Sequence, residues 1–151
     1  MSYQKNIYHI VFSTYKRQNT IETRHEREMY AYMLGIMRNL GAFVHRIGGM
    51  PDHVHILVDI PAKIAVSDFV RTLKSNTTAW VKEQNLFHSW SGWSEGYGVF
   101  TCSFNDKDNI IRYIKSQKEH HSRESFVDEY RSILSENGIS PDEWFPSSTT
   151  S

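Results

Sequence analysis

The run Pro51-Asp52-His53-Val54-His55-Ile56-Leu57-Val58-Asp59-Ile60 sets two imidazoles two positions apart inside a strand-like apolar segment. Successive strand side chains point to opposite faces, so His53 and His55 share one face while Val54, Ile56, Val58 and Ile60 line the other. Two imidazoles fixed side by side on a stiff sheet form half of a divalent-metal site. Strand histidines that merely bond their neighbours show the same spacing, so a second element has to weigh in. That element is Tyr113-Ile114-Lys115-Ser116-Gln117. On a helix Tyr113 and Gln117 are i and i+4 and leave on one face. A phenol nucleophile and an amide oxygen would then reach the histidine pair together.

This two-part pattern resembles the single-tyrosine HUH transposases, the insertion-sequence-200-like (IS200/IS605) family that moves single-stranded DNA. The histidine–hydrophobe–histidine motif is His53-Val54-His55, with the tyrosine and glutamine on a downstream helix. The resemblance also takes in Tyr8-His9-Ile10-Val11-Phe12, Tyr15-Lys16-Arg17, Leu73-Lys74, Gly96-Tyr97-Gly98-Val99-Phe100 and Glu119-His120-His121. It implies that Tyr113 is the nucleophile and that Gln117 joins His53 and His55 as third ligand to Mg²⁺ or Mn²⁺. Two nitrogen ligands make Mn²⁺ the better chemical match. It further implies that the substrate is single-stranded DNA with hairpin-containing ends, and that the chain works as a homodimer. The polar stretch Asn105 to Asn109 is expected to act as a hinge, letting Tyr113 and Gln117 reach the partner chain's histidines. In such chemistry the tyrosine attacks phosphorus, releases a 3′-hydroxyl and keeps a 5′-phosphotyrosine. Rejoining then needs no ATP. A phenol with an ordinary pKa near 10 is mostly protonated at neutral pH, so a nearby cation has to help.

Two other readings fit parts of the pattern. A metal-dependent nucleotide hydrolase of the histidine-triad kind uses alternating strand histidines, but Leu57 and Asp59 continue this face where a third histidine is required. A domesticated nucleic-acid-binding module is the other, and the retained Tyr113 and Gln117 argue against it. Among supporting residues, Lys16, Arg17, Lys74, Lys115 and His120 are candidate DNA contacts. His9 is expected to pack beside the site or to support a ligand from behind, rather than to be a ligand itself. Trp90, Trp93 and Tyr97 either stack unpaired bases or clamp a long loop onto the core.

Composition sets the frame around these residues. At 151 residues the chain suits one domain, residues 1–145, with 146–151 expected as a disordered tail. It is 39% hydrophobic and 23% charged, and no apolar run approaches the ~20 residues of a membrane span, so a cytoplasmic location is expected. Lysine plus arginine and aspartate plus glutamate balance at 17 each, which excludes a global field for polyanions but not a local basic stripe. Asp128, Glu129, Glu136, Asp142 and Glu143 gather the acidity near the C-terminus. The lone Cys102 reads as core packing.

The elements that must position the chemistry follow from periodicity. Alternation predicts a strand over Asn6 to Thr14. Met29, Met33, Ile36, Met37 and Leu40 recur at helical spacing, so a helix is expected from Arg24 to Leu40, capped by Thr20 or Thr23. Phe43 to Ile47 is the second strand, and Gly48-Gly49-Met50-Pro51-Asp52 is expected to turn into the histidine strand, which Pro61 ends. Ser67 or Asp68 would cap a helix to Gln84. A fourth strand is expected over Tyr97 to Phe104, the tyrosine helix after Asn105 or Asp106, and a last helix over Arg123 to Glu136, stopped by Asn137-Gly138. The order β-α-β-β-α-β is an α+β, ferredoxin-like split βαβ arrangement with added C-terminal helices. Its first and third strands are central, and the histidine face is expected to stay open.

Overall fold

A computed structural model describes residues 1–120 and 124–140. Four strands form one antiparallel sheet in the order β2-β3-β1-β4, with β1 at Ile7–Ser13, β2 at Phe43–Met50, β3 at His53–Asp59 and β4 at Gly98–Thr101. Helices α1 (Glu26–Asn39) and α2 (Val66–Gln84) make the two crossovers, giving the ferredoxin-like order read from the sequence. Three further helices follow: α3 (Lys107–Lys115), α4 (Gln117–His120) and α5 (Phe126–Glu136). The expectation for residues 146–151 lies outside the described residues, as do Asp142 and Glu143.

The sheet sits between two unlike layers. Val54, Ile56, Val58 and Ile60 point with Ile10 and Phe12 into a core shared with Met29, Met33 and Met37 of α1 and with Phe69 and Leu73 of α2. The opposite face carries Val11, Leu57 and the histidines under Ile114 of α3 and Phe126, Ile133 and Leu134 of α5. This histidine face is therefore covered, not open as expected. The chain has enough apolar residues on α3 and α5 to close it.

Several boundaries differ from the sequence reading. Gly48-Gly49-Met50 continues β2 instead of turning, because Gly48 pairs with His55 and Met50 with His53. The turn is left to Pro51 and Asp52. A register shift between Val44 and Arg46 absorbs the extra length as a bulge. The fourth strand is shorter, Gly98–Thr101. None of Thr20, Thr23, Ser67 or Asp68 caps a helix; the N-cap positions fall to His25 and Ala65, neither with a side-chain cap bond. Asp106 takes that position on α3, also without a cap bond. The last helix starts at Phe126, where the Ser125 side chain accepts the Asp128 N–H, and it ends at Asn137 and Gly138 as expected. The 105–109 stretch is not loose: Asn109 Nδ2 donates to Asp106, Arg112 bonds Asn109, and α3 has begun by Lys107.

Candidate active site

His53 and His55 lie on central strand β3, with Ser13 and Val11 of β1 as their partners on one side. Both rings are fully buried. Their position in mid-sheet fixes the backbone from both sides, so only side-chain torsions remain to be set. Asp52 does that for His53, whose Nδ1 lies 2.7 Å from the carboxylate. A carboxylate only accepts, so the Nδ1 proton is donated outward and Nε2 is turned inward. His55 Nδ1 lies 2.9 Å from Nε2 of His9, a buried residue of β1 whose ring stacks on it with centroids 5.1 Å apart. Burial, reinforced by His55, pushes the His9 imidazole down to about 3, so that ring is neutral.

Helix α3 delivers the tyrosine. Ile114 packs on Leu57 and Ile7 and settles over Gly48, where an added Cβ would meet Ile114 Cγ2 at 2.8 Å. The absence of a side chain at Gly48 lets the helix approach its own sheet. Tyr113 therefore stands over His55 of the same chain, ring centroids 5.5 Å apart. Within one chain, then, the tyrosine helix stands at that chain's own histidines. The helix is also not continuous: α3 ends at Lys115, Ser116 leaves helical geometry, and Gln117 opens α4. The break still leaves Gln117 buried with its Oε1 3.0 Å from His53 Nε2.

A residue not singled out by the sequence reading completes the cluster. Glu129 of α5 was read only as part of an acidic C-terminal region, yet it is 1% exposed. Its Oε1 is 3.3 Å from Nε2 of both His53 and His55, and its Oε2 accepts from Gln117 Nε2 at 2.8 Å and from the Tyr113 hydroxyl. The signal was present in the spacing. Phe126, Glu129 and Ile133 are i, i+3 and i+7, which puts a carboxylate on the apolar stripe of an amphipathic helix. Helix α5 approaches closely because β4 offers Gly98 beneath it, where a Cβ would meet the Tyr130 hydroxyl at 2.7 Å.

The electrostatics follow from this packing. Burial pushes the Glu129 carboxyl up, but hydrogen bonds from His53, His55 and Tyr113 outweigh it and hold the group far below the carboxylate range. Burial pushes His53 down, yet the Asp52 and Glu129 carboxylates overcome it and leave the imidazole above its ordinary value. Burial and the Glu129 charge push the Tyr113 phenol well above its usual range, so it rests protonated.

The donor set suits a cation. Gln117 Oε1 and Glu129 Oε1 are both lone-pair groups, and both face His53 Nε2. They converge on a ring whose other nitrogen is already spent on Asp52. Something positive has to sit among them, either a proton on Nε2 or a metal ion. The ligand atoms of His53, His55 and Glu129 lie within 4.8 Å of one another. Ligands about 2.1 Å from a shared ion at right angles stand about 3.0 Å apart, close to the 3.0 and 3.3 Å separations here.

The candidate DNA contacts sit less uniformly. Lys16 and Arg17 form the turn after β1, both with positive φ of 53° and 55°. That turn lies at the His53 end of the sheet, since Thr14 N–H donates to the Asp52 carbonyl. Lys115 is exposed on α3. Lys74 does not face the histidines: its ammonium donates to the carbonyls of Ser94 and Gly96 and stands over the Phe12 ring. Burial lowers its pKa to about 8. His120 ends α4, and its side chain lies outside the described residues. Trp93 packs edge-on against Phe12 and Trp90, so the long loop is clamped to the core, while Tyr97 stays 40% exposed. A cavity of about 350 Å³ reaches Tyr113 between α3 and α5, bounded in part by His9, Glu124, Glu129 and Glu136.

Comparison with known proteins points the same way. The chain is 37% identical over 75 residues to the ISDra2 transposase TnpA of Deinococcus radiodurans, a stretch covering 46% of this chain and 54% of that protein. The chain thus spans about half the length of that relative. It is 28% identical over 117 residues to the transposase for insertion sequence element IS200 of Salmonella typhimurium, covering 74% of this chain and 76% of the relative. Its fold superposes on a REP-associated tyrosine transposase solved with a REP hairpin, at a TM-score of 0.61 and 14% identity, over 100% of this chain and 94% of the other. No helix among the described residues is long and apolar enough to cross a membrane. The sequence model of IS200-like transposases matches residues 2–117, three-quarters of the chain and the whole path from β1 through Tyr113 to Gln117, and the protein belongs to that family.

Proposed function

We propose that this chain nicks and rejoins single-stranded DNA through a tyrosine–phosphate intermediate, acting in the cytoplasm on hairpin-containing ends. The observation that carries the reading is the convergence of one phenol, two imidazoles, one amide oxygen and one carboxylate within a single chain. Tyr113 Oη attacks phosphorus, the bond from phosphorus to the 3′ oxygen breaks, and the 5′ end stays on the tyrosine. Glu129 Oε2 accepts the Tyr113 hydroxyl and aligns it; the phenolic proton leaves to solvent as phosphorus is attacked, and the departing 3′ oxygen takes one from solvent. Attack by a 3′-hydroxyl of another strand reverses the step and rejoins DNA without an outside energy source. His53, His55, Gln117 and Glu129 would hold Mg²⁺ or Mn²⁺, which when bound neutralises phosphate charge and favours the phenolate. Lys16, Arg17 and Lys115 grip flanking phosphates; Lys74 contributes through the loop it pins.

The test is incubation with hairpin single-stranded DNA and Mn²⁺, followed by a denaturing gel. A protein–DNA adduct that survives denaturation and vanishes with EDTA supports the reading. Nucleotide turnover without an adduct would favour a hydrolase, and a reversible shift alone a binding module. Exchange of two DNA ends needs two tyrosines, so the working unit is a pair of chains, a homodimer being the simplest closed form. With sites shared between partners, mixing Tyr113→Phe with His53→Ala chains should restore some cleavage; if each chain builds its own site, the mixture stays dead. Recovered cleavage in that mixture would mean that the tyrosine helix crosses between partners.

A further inference from the structure

We infer that His9 is a positioning residue: its Nε2 is the acceptor that holds the His55 proton on Nδ1 and so presents a bare Nε2 for metal. The inference rests on the metal reading of the site given above and adds a residue that is itself no ligand. An imidazole can ligate through Nε2 only when its proton resides on Nδ1. For His53 the Asp52 carboxylate enforces that tautomer, because it can do nothing but accept. At His55 the Glu129 carboxylate faces Nε2 at 3.3 Å, the side on which an ion would sit. His9 Nε2 lies 2.9 Å from the other nitrogen, Nδ1, and both rings are buried. With a metal on Nε2 the His55 proton would reside on Nδ1, where His9 Nε2 can accept it. The two rings stack at 25°, with Phe100 and Tyr113 edge-on to His9. The acceptor is thereby locked on β1, beside the strand that carries the ligand. The two histidines then differ in their surroundings: a carboxylate stands behind His53 and an imidazole behind His55. Partners of this kind shift metal affinity by about 10–100-fold when removed.

The test compares His9→Phe, which keeps a ring but no acceptor, with His9→Gln, which puts an oxygen near the place of Nε2. Mn²⁺ is titrated into the full chain by calorimetry, and melting is followed in EDTA to read folding separately. Weaker Mn²⁺ binding by about 10–100-fold in His9→Phe, with His9→Gln within about 3-fold of wild type, supports the inference. Equal binding by wild type and His9→Phe overturns it, and so does equal weakening in both variants, which would make ring shape the cause. Should His9→Phe fail to fold, NMR on the Mg²⁺-loaded wild type decides. A proton on His55 Nδ1 coupled across the hydrogen bond to His9 Nε2 supports the inference; a proton on His9 Nε2 overturns it. If the wild type binds no Mn²⁺ or Mg²⁺ at all, the metal reading falls first and this inference falls with it.

Discussion

The two faces of the sheet are made from the same strands, yet they obey different rules. On the face toward α1 and α2, Val54, Ile56 and Val58 meet methionines and Phe69, and every contact is apolar. One residue along, His53 and His55 meet Glu129, Gln117, Asp52 and His9, and almost every contact has a direction. Apolar packing is tolerant of which residue touches which. The polar layer is not, because each buried donor or acceptor left without its partner costs about 1–3 kcal/mol. The comparison teaches that stability and chemistry have been separated by the strand repeat of two.

That separation can be broken most severely at the nucleophile. Tyr113→Phe should lower adduct formation on a denaturing gel by roughly 10⁴-fold or more, while the urea midpoint moves by no more than about 1 kcal/mol equivalent. The ring remains, and Glu129 keeps its other partners. On the opposite face, Ile56→Ala should cost about 2–5 kcal/mol of unfolding free energy. The folded fraction should bind Mn²⁺ as before; altered affinity there would mean the faces are coupled. Next in size, His53→Ala or His55→Ala should weaken Mn²⁺ by about 100-fold or more, since even partners that only orient a ligand are worth 10–100-fold. Gln117→Ala should act in the same direction but less, its amide being the one neutral oxygen in the set.

The smallest effect sharpens the comparison through pH. His53 has its folded pKa raised by Asp52 and Glu129 against the pull of burial. Its contribution to stability is therefore complete below the unfolded value of about 6.5 and is lost as pH rises through the folded pKa. In EDTA, unfolding free energy should fall above about pH 6.5, by no more than about 1.4 kcal/mol per pH unit. Metal should flatten this slope, because an ion replaces the proton at Nε2. Glu129, with its pKa depressed, works at the other end: its share is present above about pH 4.3 and fades only under stronger acid.

Much of this was legible in the chain because hydrophobic periodicity is local. The alternation around His53, the methionine repeat of α1 and the order of elements gave the sheet and its two crossovers. The residues that the sequence singled out, His53, His55, Tyr113 and Gln117, come together as a group. What stayed hidden depends on distant chain segments. Gly48 and Gly49 carry the turn signature, yet pairing with the histidine strand overrides it. The break at Ser116 is invisible to an i, i+4 count. Glu129 reads as surface acid until α5 is known to lie face down on the sheet, a fact of tertiary packing rather than of local composition.

The seating of α5 ties two properties to one event. Phe126 stacks on the His53 ring, and Ile133 and Leu134 sit with Val11 and Phe100 in the core. The same helix carries Glu129 to Nε2 of both histidines. Fraying of α5 would therefore strip apolar cover from the sheet and a carboxylate from the cluster together. Amide exchange in α5 and loss of the site would then follow a single rate.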